Sequence, residues 1–125
     1  MGLDDAILVK DNHLTLGGGD FDAAVRAARA HFPALALEVE CRTLAEVARA
    51  LAAAPDLILL DNMSIDDLHA AVRLVAGRVP LEASGGITLE QLTAVAATGV
   101  QYVAIGALTH SAPAADVSLK LEPIG

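Results

Sequence analysis

Leu57-Ile-Leu-Leu-Asp-Asn62, then Ser64-Ile-Asp-Asp67 opening a stretch that runs to Gly77, then Pro80-Leu-Glu-Ala-Ser84 and Gly85-Gly86, form the segment whose reading decides the fold. The first run is continuously apolar and ends in Asp-Asn, which reads as a strand covered on both faces. Ser64 with Asp67 has the capping-box spacing of a helix start, and Gly77 is a helix stop. The next strand follows directly. One strand, one helix and a second strand in so few residues describe a parallel βα unit.

Moving outward, the same unit recurs. Ala6 to Asp11, Leu35 to Cys41 and Tyr102 to Ala107 are further apolar runs of strand length. Asp20 precedes a helix over Phe21 to Phe32, with Phe21, Val25, Ala28 and Phe32 on one face and Pro33 as its stop. Thr43 with Glu46 opens an alanine-rich helix that ends before Pro55, and Thr88 with Gln91 opens one that ends at Gly99. After the longer first unit, strand ends return about every two dozen residues, a compact rhythm for βα repeats. The pattern predicts a partial parallel β/α barrel of about five strands. An open doubly wound sheet is the alternative, because strand order is not legible in one sequence. The tail from Val117 to Glu122 alternates apolar and polar residues, as an edge strand or closing segment does.

The chain has 125 residues, the size of one domain, is 54% hydrophobic and carries a net charge of -8. That charge argues against a nucleic-acid surface, which needs Lys and Arg against phosphates. The single Cys41 excludes an intrachain disulfide and fits a reducing compartment. No apolar run reaches membrane-spanning length, and Met1-Gly-Leu-Asp-Asp5 lacks the marks of a signal peptide. The expectation is a cytoplasmic protein with no membrane partner.

In a parallel βα fold the carboxyl ends of the strands form the working face. Those ends carry Lys10-Asp-Asn-His13, Glu38-Val-Glu40, Asp61-Asn62, Glu82-Ala-Ser-Gly-Gly86 and Gly106-Ala-Leu-Thr-His110. Lys10, one of two lysines, stands there as a lone cation. Alternation places Glu38 with Glu40, Lys10 with Asn12, and Glu82 with Ser84. Glu40 and Asp61, on neighbouring strands, form a carboxylate pair suited to Mg²⁺, which takes few protein ligands and keeps water or phosphate oxygens. Structural hydrogen bonds or ion pairs are the plainer reading of these acids. Ser84-Gly85-Gly86 ahead of a capped helix has the form of a phosphate cradle, and Gly106 offers a second. His31 and His69 fall within helices, and Cys41 alternates away from Glu40 as a packing residue.

Taken together, Ala-Ile-Leu-Val-Lys-Asp-Asn-His, Leu-Glu-Val-Glu-Cys, Leu-Leu-Asp-Asn-Met, Glu-Ala-Ser-Gly-Gly-Ile and Ile-Gly-Ala-Leu-Thr-His-Ser resemble, in order and spacing, the quinolinate phosphoribosyltransferases. The resemblance implies a glycosyltransferase of NAD biosynthesis that converts quinolinate and phosphoribosyl pyrophosphate to nicotinate mononucleotide, pyrophosphate and carbon dioxide with Mg²⁺. It further implies that residues 1–125 are the carboxyl-terminal part of the barrel, without the family's amino-terminal domain and the arginines of its early strands. By this resemblance Lys10 and Asn12 contact substrate, Lys10 through a quinolinate carboxylate. Glu40 and Asp61 hold ribose hydroxyls and the metal-bound pyrophosphate group. Ser84, Gly85, Gly86, Gly106, Ala107, Leu108 and His110 line the phosphate pocket. A barrel segment with open edges is expected to form a homo-oligomer. The competing functions are a non-catalytic phosphate-binding or assembly fragment and a related pyridine or metal-uptake protein of the same fold.

Overall fold

The computed structural model describes residues 6–10, 21–105 and 117–121. Its strands are β1 (Ala6–Val9), β2 (Ala36–Cys41), β3 (Leu57–Asp61), β4 (Leu81–Ser84), β5 (Tyr102–Ile105) and β6 (Val117–Lys120). They form one sheet in the order β1-β2-β3-β4-β5-β6. The first five pair in parallel, and β6 adds to β5 antiparallel, so the tail is an edge strand.

The helices are α1 (Phe21–His31), α2 (Leu44–Ala52), α3 (Ile65–Val75) and α4 (Leu92–Ala96), the last preceded by a 3-10 turn over Leu89–Gln91. Thr43 accepts from the Glu46 N–H at 3.2 Å and Ser64 from the Asp67 N–H at 3.1 Å. Thr88 and Gln91 close their capping box around the 3-10 turn. The expected helix over Phe21 to Phe32 ends one residue earlier, and Phe32 is 53% exposed rather than on the apolar face. The cause is Pro33, which disfavours helical backbone in the residue before it.

Sequential order in one direction selects between the two candidate folds. A doubly wound sheet reverses its order at a switch point and places helices on both faces. Here the strands follow one another in sequence order, and connections of one hand then bring the helices to one face. The core shows this. Val9, Leu37, Val39, Cys41, Ile58, Leu60, Ala83, Val103 and Ile105 of the strands form one buried cluster with Val25, Val47, Leu68, Ala71 and Val95 of the helices. The opposite face, carrying Leu8, Glu38, Glu40, Leu57, Leu59, Asp61, Glu82 and Ser84 by alternation, is the lining that a closed barrel would enclose. The sheet is open, with β1 and β6 at its edges, as expected of a partial barrel.

Candidate active site

The strand register sets the site. Asp61 is paired with Ser84 at the carboxyl ends of β3 and β4, and the Asn62 N–H donates to the Ser84 carbonyl at 2.9 Å. One row inward, Glu40, Leu59, Glu82, Tyr102 and Lys120 lie side by side across five strands. Glu40 and Asp61 are both half-buried.

Asp61 is held from two sides. Its Oδ2 accepts from Arg42 Nε at 3.3 Å, and its Oδ1 lies over Gly85, where a methyl group would come within 2.8 Å of it. Arg42 also approaches Glu40, with Nη2 at 4.0 Å from Oε1. Arg42 is thus a second cation on a rim where the sequence offered Lys10 alone. The signal was present, because Arg42 continues the alternation of Glu38 and Glu40.

Gly85 and Gly86 both adopt positive φ, +90° and +69°. With Ser84, Asn62, Met63 and Ser64 they border a cavity of about 200 Å³. The amino end of α3 opens on it, since Ser64 caps that helix and Ile65 also lines the cavity. Glycine turns at φ > 0 with helix N–H groups nearby are the backbone form of an anion site.

Two expectations change. Glu38 and Glu82 are not at the exposed ends of their strands: each lies within its strand on the face opposite the described helices, 8% and 7% exposed, with Glu82 in the same row as the half-buried Glu40. Burial, with the nearby Glu82 charge second, pushes the Glu38 carboxyl above its ordinary value. These strands continue past the two acids, which therefore line the interior. Lys10 is exposed just beyond β1. Asn12, Gly106, Ala107, Leu108 and His110 lie outside the described residues, as do Asp20 and Gly17 to Gly19. Cys41 is buried on the helix side, as its alternation requires. His31 and His69 stay on helices away from the rim.

Among the described residues no three His, Cys, Asp or Glu side chains gather around a metal position. Glu40 and Asp61 nonetheless fit Mg²⁺ by the chemistry of their donors, because both are hard carboxylate oxygens on neighbouring strands. No helix among the described residues is long and apolar enough to cross a membrane.

A singly wound parallel sheet with carboxylates and a glycine turn at its strand ends has the architecture of a β/α-barrel segment, whose carboxyl edge is the working one in that fold. Residues 1–120 match the family model "Quinolinate phosphoribosyl transferase, C-terminal domain", and the chain belongs to this family. It is 45% identical over 124 residues to the nicotinate-nucleotide pyrophosphorylase [carboxylating] of Mycobacterium leprae, covering 97% of this chain and 43% of that protein. To the Homo sapiens protein of the same name it is 44% identical over 120 residues, covering 92% and 40%. The solved nicotinate-nucleotide pyrophosphorylase of Francisella tularensis superposes with a TM-score of 0.80 at 37% identity, over 94% of this chain and 41% of that one. The chain therefore spans well under half the length of these relatives.

Proposed function

We propose that this chain supplies the phosphoribosyl-binding part of a quinolinate phosphoribosyltransferase site. The reaction joins quinolinate to phosphoribosyl pyrophosphate and yields nicotinate mononucleotide, pyrophosphate and carbon dioxide. The observation that carries the reading is the placement of Asp61, fixed between Arg42 and Gly85 beside the glycine-lined cavity. Family membership supplies the substrate class.

In this reading the Ser84-Gly85-Gly86 turn and the amino end of α3 receive the ribose 5-phosphate through backbone N–H groups. Asp61 and Glu40 orient the ribose hydroxyls and stabilise positive charge that develops at the anomeric carbon as pyrophosphate departs. Mg²⁺, held by Glu40 and Asp61 together with the diphosphate oxygens, would neutralise the leaving group. Lys10 pairs with a quinolinate carboxylate, which orients the ring nitrogen toward that carbon. The cytoplasmic setting and a homo-oligomer belong to the same proposal. The second is supported by the open edges of the sheet at β1 and β6.

Calorimetric titration with phosphoribosyl pyrophosphate, with and without Mg²⁺, tests this. Metal-dependent binding that a Glu40→Ala, Asp61→Ala double variant loses is the expected result. Absence of binding by the folded chain overturns it and leaves a fragment without a phosphoribosyl site. Binding that survives the double variant transfers the ligand to the glycine turn alone, the result expected of a non-catalytic phosphate-binding fragment.

A further inference from the structure

Arg42 is the residue of this rim to which the functional reading gives no role toward a ligand. Its backbone is fixed: the Arg42 N–H donates to Glu46 Oε2 at 2.5 Å, and the Glu46 N–H returns to Thr43 Oγ1 at 3.2 Å. Its side chain is 60% exposed, with the guanidinium against Asp61 and Glu40. The backbone is pinned, while the solvent-facing head is engaged through its charge-assisted contacts with Asp61 and Glu40. Ion pairs with one partner facing solvent are weak, so a stronger ligand displaces them.

Resting on the reading of Glu40 and Asp61 as a divalent-cation site, we propose that Arg42 is a positioning residue that occupies the carboxylate pair until a metal-bound diphosphate arrives, and then turns to that anion. A divalent cation and a guanidinium cannot share the same two carboxylates without repulsion. Binding of the bare cation therefore has to expel Arg42 with nothing to receive it. A cation carrying a diphosphate brings oxygens that the released guanidinium can engage through two N–H groups. The device discriminates against the free metal ion and favours the metal–diphosphate complex.

The test uses the whole chain and two probes, Mn²⁺ alone followed by its spin resonance, and Mn²⁺ with inorganic pyrophosphate. Arg42→Gln is expected to bind Mn²⁺ alone about three- to tenfold more tightly and Mn²⁺-pyrophosphate at least threefold more weakly. Arg42→Lys, which keeps the charge without the planar fork, is expected to restore the weak binding of bare Mn²⁺ and only part of the pyrophosphate affinity. Opposite movement of the two affinities is a result that simple loss of structure does not produce. If Arg42→Gln leaves both within twofold, or moves both the same way, the proposal is overturned. A Glu40→Gln, Asp61→Asn variant separates the two levels. If it abolishes Mn²⁺ binding while Arg42→Gln changes nothing, the cation site stands and the role of Arg42 does not. If the native chain binds neither probe, the cation site itself fails, and the proposal with it.

Discussion

The Asp61 carboxylate rests on the Cα of Gly85: a Cβ there would lie 2.8 Å from Asp61 Oδ1 and 2.7 Å from the Asn62 nitrogen. The ends of β3 and β4 thus meet where one side chain is missing. Gly86, next in the chain, has a similar positive φ but no atom within 4 Å of such a Cβ. Gly86→Ala is therefore expected to cost only backbone strain, about 1–2 kcal/mol. Gly85→Ala adds a collision with backbone and is expected to cost more, and to weaken Mg²⁺-dependent ligand binding by moving Asp61. Urea unfolding of both variants with parallel titrations checks the order; equal costs would show that the contact is slack.

Glu38 gives a pH dependence with a definite sign. Its folded-state value is raised above the ordinary glutamate value of 4.5, mainly by burial and then by Glu82. Below 4.5 both folded and unfolded chains hold the proton, and the contribution is fully present. As pH rises through the raised value, the unfolded chain has already released its proton, so stability is lost. Glu38→Gln is expected to remove this decline, making the variant relatively more stable at neutral pH than in acid. Denaturation midpoints across the acid-to-neutral range, native against variant, decide it, and parallel profiles would count against it.

Ser64 caps α3 at the mouth of the cavity. Ser64→Ala is expected to lower stability by about 1 kcal/mol, read by chemical denaturation. Ser64→Asp, which can cap equally well, should restore it but weaken phosphate-ester binding by adding negative charge where the anion sits. Equal ligand affinity in the native and Asp forms would place the phosphate elsewhere.

Gln101 joins β4 to the segment before β5. Its Oε1 accepts from the Leu81 N–H at 2.8 Å, and its own N–H donates to the Leu81 carbonyl at 3.1 Å. Gln101→Ala leaves a part-buried N–H without its partner, and a loss of about 1–3 kcal/mol is expected. Hydrogen exchange should show the Leu81 amide as the most accelerated of β4. Unchanged protection there would mean that a substitute acceptor is at hand.

Much of this molecule was legible in the order of its residues. Alternation is local, so Cys41 could be assigned to the helix side and Glu40 to the opposite face before any contact was known. Capping is also local: Thr43 with Glu46, Ser64 with Asp67 and Thr88 with Gln91 act within one turn, and all three marked real starts. Phe32 leaves its helix against its apolar spacing, because the proline after it overrides that local pattern.

The sequence by itself determined the strands, the helix starts, the chemical character of the rim and the family, because each depends on neighbours in the chain or on motifs in fixed order. Tertiary structure alone decided the singly wound sheet order, the burial of Glu38 and Glu82, the seat of Asp61 on Gly85, and the reach of Arg42 to Asp61. Strand pairing and register bring together groups some twenty residues or more apart, and desolvation and charge pairing depend on the resulting distances, which no local pattern contains.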